Sequence, residues 1–375
     1  MRIAFYAPLK PPDHPTPSGD RVLARLLMRA LILAGHEVRL ASRLRSFDPK
    51  GDAGRQGRLA ALAPWFRNRF LRQGWRPELW FTYHLYHKAP DLLGPDLAST
   101  LDIPYVVAEA SFARKQATGP WAGGHAAVAA ALRRADLVLG LNPADAEGVR
   151  PLLRSGVELA ELPPFIDAAP FAEGRVHRDR QRRALAAATG LDPARPWLVV
   201  NAMMRPGDKL ASYRLLAAAL DRLTDAPAWS MLVIGDGAAR ADVQAALGPW
   251  RDRIAWLGEC DPAAVPALLA AADLAVWPAV NEALGLALIE AQAAGLPVIA
   301  GEEGGIGAVI RHEVTGLLTP RRDPDAFAKA IARLLSDPDG RAAMGCAAAQ
   351  AIRDRHDLDT AAARLDALLR TLPRR

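Results

Sequence analysis

Two glutamates flank a glycine in Asn281-Glu282-Ala283-Leu284-Gly285-Leu286-Ala287-Leu288-Ile289-Glu290. A buried-type strand, Leu274–Trp277, ends at Pro278 just ahead of them, and Gly295-Leu296-Pro297 closes the helix that follows. A helix that starts beyond a strand end offers free backbone N–H groups and the positive end of its dipole, which suits a phosphate. Gly285 lets the backbone come close to that phosphate. Glu282 stands before the anion site and Glu290 about one and a half turns into the helix. Ionised carboxylates accept well from vicinal hydroxyls, so the two can bracket a nucleotide sugar, one at the sugar and one at the ribose.

A second constellation lies in Asn201-Ala202-Met203-Met204-Arg205-Pro206-Gly207-Asp208-Lys209, after the strand Trp197–Asn201. Arg binds a diphosphate bidentately and Lys binds it as a point charge. Arg205 and Lys209 on one strand-end loop can stabilise negative charge on a departing diphosphate without a metal.

The elements that must position these groups alternate along the chain. Short Val-, Ile- and Leu-rich runs predict strands at Ile3–Ala7, Val38–Ser42, Tyr105–Ala108, Leu137–Leu141, Trp197–Asn201, Met231–Ile234, Ile254–Leu257, Leu274–Trp277 and Pro297–Ala300. None alternates strictly, as expected of strands buried on both faces of a parallel sheet. Helix-period segments separate them, for example Arg21–Ala34, Ser212–Leu223 and Ala263–Ala272. The pattern predicts an α/β protein of two doubly wound, Rossmann-like domains facing a cleft. Pro163-Pro164 and the Arg-rich stretch after it place the boundary near 170, giving domains 1–170 and 171–375. The tail 323–372 reads as two helices split at Asp337-Pro338, the last of which can pack back on the N-terminal domain.

The string around Glu282 and Glu290 resembles the E-x7-E region of retaining glycosyltransferases of the GT-B fold, family 4. Met231-Leu232-Val233-Ile234-Gly235-Asp236-Gly237 is similar to that family's strand and glycine turn, and Leu257-Gly258-Glu259 to its segment beside the base. Gly304-Gly305 and Gly316-Leu317-Leu318-Thr319-Pro320 fit its closing pattern. The resemblance implies that Glu282 faces the donor sugar, Glu290 the ribose, and Leu284-Gly285-Leu286 the diphosphate. It places Gly235 and Gly258 along the nucleotide, and Gly19, in Pro15-Thr16-Pro17-Ser18-Gly19-Asp20, on a loop approaching the donor from the N-terminal half. Leu284 stands where the family commonly has Phe, and Gln292 where it has Met. The family often has a His near the end of the strand that here reads Tyr105-Val106-Val107-Ala108-Glu109-Ala110-Ser111. Glu109 or Ser111 takes that place, and His84 and His87 are other acceptor-side candidates.

The resemblance implies transfer of a sugar from a nucleotide diphosphate sugar to a glycan, lipid-linked or small-molecule acceptor, with retention at the anomeric carbon. No cofactor is expected beyond that donor substrate, and no metal. Rival readings are an epimerase or phosphorylase on the same fold and a non-catalytic nucleotide-sugar binding protein.

Composition narrows the classes further. The chain has 375 residues, 51% apolar and 23% charged, which is ordinary globular usage. Cys260 and Cys346 cannot build a disulfide framework and match no metal knuckle. Asp323-Pro324-Asp325, Asp337-Pro338-Asp339 and Asp357-Leu358-Asp359 lie at helix starts, where Asp is a routine cap, so they read as caps rather than metal ligands. No Gly-x4-Gly-Lys-Ser/Thr loop occurs. Apolar runs are too short for a membrane span or a signal peptide, so a cytoplasmic protein is expected. The net charge is +6, and it sits in the first half: residues 1–170 hold 22 basic and 16 acidic side chains, leaving 25 of each in 171–375. Arg55, Arg58, Arg67, Arg69, Arg72 and Arg76 have no acid among them and are interleaved with Trp65, Phe66, Phe70 and Trp75. Such a stretch suits a solvated helix, or a peripheral hold on an anionic membrane; no nucleic-acid partner is expected.

Overall fold

The computed structural model describes residues 1–223 and 226–373. The chain divides into two compact units. The first holds Met1–Pro164 and the segment from Leu358 onward, and the second holds Phe165–Asp357. The division therefore falls six residues before the expected 170, at the Pro163-Pro164 pair, and the final helix belongs to the first unit.

The first unit is a six-stranded parallel sheet in the order β2-β1-β3-β4-β5-β6. Its strands are β1 (Arg2–Tyr6), β2 (Glu37–Ser42), β3 (Leu79–Leu85), β4 (Tyr105–Ala110), β5 (Leu137–Gly140) and β6 (Glu158–Glu161). The helices between them are α1 (Gly19–Leu33), α2 (Ala53–Leu71), α3 (Gly94–Thr100), α4 (Ala122–Arg134) and α5 (Ala146–Val149). Ser18 caps α1 by accepting the Arg21 N–H (3.2 Å). Phe5 stacks on Phe81 at 5.6 Å in the sheet core.

The second unit begins with α6 (Ala169–Val176) and α7 (Arg178–Thr189). Then come β7 (Trp197–Asn201), α8 (Asp208–Leu220), β8 (Ser230–Ile234), α9 (Arg240–Ala246), β9 (Ile254–Gly258), α10 (Val265–Ala270), β10 (Leu274–Trp277), α11 (Leu286–Ala293), β11 (Val298–Gly301), β12 (Gly316–Thr319), α12 (Pro324–Ser336) and α13 (Pro338–Arg355). Its parallel sheet runs β12-β11-β10-β7-β8-β9. Strand order reverses between β7 and β10, and in the first unit between β1 and β3. Loops leaving the carboxyl ends of strands at such a reversal diverge and leave a crevice, the usual ligand position in open α/β sheets.

The tail holds three helices where two were expected. After α13 the chain breaks at His356-Asp357 and continues as α14 (Leu358–Arg370), which packs on α1 through Leu365 and Leu369. Ile166 runs parallel to Asp357 at this break, its N–H donating to the His356 carbonyl (2.9 Å). Asp357 is thus a tie rather than only a cap: its Oδ1 accepts the Ala168 N–H at 3.0 Å. Asp323 and Asp337 do cap, accepting from Ala326 (2.9 Å) and Gly340 (2.8 Å).

Strands β3, β6 and β12 were missing from the sequence expectation. The last two are short sheet edges, each with one neighbour. In β3, Thr82 and His84 interrupt the apolar run, yet Thr82 is fully buried because Asp91 pairs with it and also accepts from Tyr105 (3.0 Å).

The arginine stretch does not act as one surface. Arg55 donates to the Phe47 carbonyl (3.2 and 3.1 Å), Arg67 pairs with Asp96, and Arg76 donates to the Leu71 carbonyl (3.2 Å). Phe70 is buried against Trp75 and Trp80. The residues of α2 that face solvent include Arg58, Leu62, Trp65 and Arg69, with Leu62 47% and Trp65 55% exposed. Among the described residues no helix is long and apolar enough to cross a membrane.

Candidate active site

The second unit assembles its site from the two loops at the strand-order reversal. After β7 the chain runs through Arg205 to α8, whose first turn carries Lys209. After β10 it runs through Glu282 to α11. The Lys209 ammonium forms an ion pair with Glu282 Oε2. The Trp277 indole Nε1 lies 3.5 Å from the same oxygen, and Lys209 Nζ stands 5.4 Å over the Trp277 ring. An aromatic floor under a cation adds to its attraction and limits where it can move. Arg205 is exposed on the loop ahead, its carbonyl accepting the Leu210 N–H (3.1 Å).

The Glu282 loop is held in an unusual course. Ala279 and Asn281 take left-handed backbone, φ 57° and 53°, a strained state for residues with side chains. Asn281 is tied to Asp208 (3.0 Å), and the Val280 N–H to Ser212 Oγ (3.0 Å). Gly304 comes so close that a Cβ there would lie 2.1 Å from the Glu282 carbonyl oxygen. That explains a glycine at this point.

Helix α11 starts at Gly285, left-handed at φ 62°, and no side chain caps it. A Cβ at Gly285 would meet Ile306 Cδ1 at 2.8 Å. The first N–H groups of α11, at Leu286 and Ala287, have no acceptor within the helix and remain open to an anion. Leu284 and Leu286 are half-buried on either side.

Glu290 departs from the expectation of a plainly ionised pair. Burial pushes its carboxyl up to about 7, a rise partly offset by the Asn201 Nδ2 hydrogen bond at 2.9 Å. Near neutral pH it holds its proton about half the time. Asn201 was legible only as the last residue of a strand, and its role depends on the neighbouring α11. Gly235 and Gly258 sit at the ends of β8 and β9, joined by a Gly235 N–H to Gly258 O bond of 2.7 Å. The structure thus gathers Lys209, Glu282 and Gly285 around one reversal, with Glu290 further along α11 on Asn201. Gly19 lies in the other unit, as the first residue of α1.

That first unit has its own polar cluster. His84 is the last residue but one of β3 and Glu109 lies in β4, both in left-handed backbone (φ 63° and 58°). His84 Nδ1 lies 3.0 Å from Asp20 Oδ1 and 3.7 Å from Glu109 Oε2. Burial disfavours the imidazolium, yet Glu109 and Asp20 outweigh it and raise His84 to about 9. Burial raises Glu109 more than His84 lowers it. Asp145, hydrogen-bonded to Ser111, is raised by burial as well. His84, Glu109 and Ser111 therefore come together. His87 does not: it faces Trp121 at 5.7 Å on another wall of the unit. Among the described residues no group of three or more His, Cys, Asp or Glu side chains is placed to hold a metal ion.

Residues 196–337 match the family model of glycosyl transferases group 1. The match lies wholly in the second unit. A D-inositol 3-phosphate glycosyltransferase of Salinispora tropica is 37% identical over 206 residues, covering 52% of this chain and 42% of that protein. One from Jonesia denitrificans is 34% identical over 209 residues, 52% of this chain and 45% of the relative. The chain thus spans less than half the length of these curated relatives. Among solved structures, Anabaena HepE in complex with UDP superposes with a TM-score of 0.74 over 99% of this chain and all of that one, at 17% identity. Sucrose-phosphate synthase from Thermosynechococcus elongatus gives 0.74 over 99% and 98%, at 20% identity. At such identities the likeness concerns the fold. The chain has the GT-B fold.

Proposed function

We propose that this protein is a glycosyltransferase that moves a sugar from a nucleotide diphosphate sugar to an acceptor, with retention at the anomeric carbon. The observation that carries the reading is the Lys209–Glu282 pair beside the uncapped start of α11 at Gly285. The family match over 196–337 and the sequence likeness to inositol-phosphate glycosyltransferases support it. The solved neighbour bound to UDP favours a uridine diphosphate sugar as donor, and the relatives' name, D-inositol 3-phosphate glycosyltransferase, favours a cyclitol, phosphorylated in their case, as acceptor.

The residues divide the work. The N–H groups at Leu286 and Ala287 receive the diphosphate, between Leu284 and Gly285 on one side and the cations on the other. Lys209 and Arg205 stabilise charge on the departing diphosphate, so no metal is assigned a part. When the donor arrives, Lys209 exchanges Glu282 for phosphate, and the freed carboxylate accepts from sugar hydroxyls. Glu290, kept in place by Asn201, accepts from the ribose diol when ionised. Gly235 and Gly258 leave room along the base. Holding the acceptor hydroxyl beside the anomeric carbon, on the face the diphosphate leaves, contributes further rate.

Incubation with a panel of nucleotide diphosphate sugars and polyols tests the reading. Acceptor-dependent release of nucleoside diphosphate, with a product of unchanged anomeric configuration by NMR, is expected. Interconversion of the nucleotide sugar itself would favour an epimerase, a phosphate-dependent reaction a phosphorylase, and binding without turnover a silent binding protein.

We also propose that α2 holds an anionic membrane surface from the cytoplasmic side. The exposed row Arg58, Leu62, Trp65 and Arg69 motivates this, with Arg69 5.5 Å over the Trp65 ring. An aromatic and a leucine can enter the headgroup region while arginines meet lipid phosphates.

A further inference from the structure

A cavity of about 280 Å³ opens at the carboxyl ends of β4, β5 and β6 in the first unit. Its polar lining is Glu109, Asn142, Asp145, Arg150 and Glu161. Three carboxylic acids thus face one guanidinium. The volume is at the small end for a ligand site, enough for a single ring rather than a chain.

One wall group points to a ligand by itself. Glu109 is only 8% exposed, and its Oε2 and the neighbouring Tyr83 hydroxyl both lack a hydrogen-bond partner of good geometry. Its nearest cation, His84 Nδ1, lies beyond hydrogen-bonding reach at 3.7 Å and is bound closer to Asp20. A buried carboxyl oxygen left unsatisfied costs free energy that a ligand donor can recover. The chain also holds Glu109 in left-handed backbone, φ 58°. Strain of this kind persists where the surroundings fix a side chain for use.

The sign of the wall selects the ligand. A phosphate or carboxylate would enter among like charges, with Arg150 as the cation of the wall; the His84 imidazolium beyond Glu109 lies closer to Asp20, at 3.0 Å, than to Glu109, at 3.7 Å. A protonated amine gains from the same acids, and ring hydroxyls suit Asn142 and Asp145, which can accept from them. We propose that this cavity is the acceptor subsite and takes a small polyol bearing a protonated amine, an amino sugar or aminocyclitol, with its ammonium at Glu109. The proposal rests on the glycosyltransferase reading for the word acceptor, and on the cavity alone for the amine.

Ligand-observed NMR titrations of the full chain at neutral pH with glucosamine, glucose and glucose 6-phosphate test it, beside parallel titrations with UDP, GDP and ADP. Glucosamine is expected to bind at least ~10-fold more tightly than glucose, the discrimination one well-placed charged hydrogen bond provides. Glucose 6-phosphate is expected to bind weakest. Glu109→Gln should erase the preference while nucleotide binding stays. Should that variant fail to fold, Asp145→Asn must narrow the preference instead. Equal binding of glucosamine and glucose, a preference for glucose 6-phosphate, or a preference that survives in a folded Glu109→Gln protein overturns the amine assignment. With nucleotide binding intact, those results leave the glycosyltransferase reading standing. If no nucleoside diphosphate binds, that reading falls, and the cavity loses its acceptor role whatever glucosamine does.

Discussion

Lys209 and Glu282, 73 positions apart, form an ion pair above the Trp277 ring, where strand order in the second sheet reverses. Each neutralises the other's charge. A diphosphate would compete with Glu282 for Lys209 and leave Glu282 to the sugar. Glu282→Gln keeps the shape and one acceptor oxygen but loses the charge. Its turnover should fall by about 10²-fold or more, as for loss of one preorganised electrostatic group, with the melting temperature little changed. Steady-state kinetics beside thermal unfolding check this, and wild-type turnover in the variant would contradict it.

Glu290 makes the protein sensitive to pH in a defined direction. Its carboxyl rises from 4.5 unfolded to about 7 folded. Between those values the folded protein keeps a proton that the unfolded chain has released. Its contribution to stability therefore declines as pH rises from about 4.5 to about 7, and stays low above. Glu290→Gln should flatten that decline in melting temperature. In the wild type, nucleotide affinity should increase by severalfold from about pH 6 to about pH 8, because the ionised form accepts from the ribose diol. Calorimetry at the two pH values measures it, and a flat profile would remove Glu290 from the ribose.

His84 carries the opposite sign. Its folded value of about 9 exceeds the ordinary 6.5 because Glu109 and Asp20 outweigh burial. The stability it gives is full below about 6.5 and is lost as pH rises through about 9. Asp20→Asn removes the partner at 3.0 Å and should lower the His84 value by about one unit or more. Imidazole NMR titration reads this directly. An unmoved value would mean that Asp20 does not hold the ring.

Flotation with anionic vesicles tests the α2 surface. Binding should be clear at low salt and fall at high salt as the charges are screened. Trp65→Ala with Arg69→Glu should abolish it, at about 1 kcal/mol per basic residue removed from the surface. Binding that ignores salt, or that survives in the double variant, would contradict the role of α2.

Much of this architecture was legible in the chain because its central strands are continuous apolar runs. Trp197–Asn201 and Leu274–Trp277 fall where the sequence puts them. The turn at Gly285 was legible too, since that glycine, the strand before it and the Gly295 closure are local. What escaped depends on distance along the chain. Edge strands β6 and β12 are too short to stand out. The Asp20–His84–Glu109 cluster joins α1, β3 and β4, and no local signal marks the left-handed backbone at His84 or Glu109. The return of the final helix to the first unit was expected, but the break at His356-Asp357 that begins α14 was not. In the arginine stretch, Arg55, Arg67 and Arg76 have partners in their own unit, which depends on residues distant in sequence or on the chain's local course.

The most direct test of the central claim is the binding of UDP to the wild type and to Gly285→Val. A valine there would strain a backbone at φ 62° and press on Ile306 and Leu288, closing the start of α11. The account predicts that UDP raises the wild-type melting temperature, by mass action on the native state, and leaves a folded Gly285→Val protein unmoved. Equal stabilisation of both proteins would contradict it, because the diphosphate would then bind somewhere other than the turn between Glu282 and Glu290.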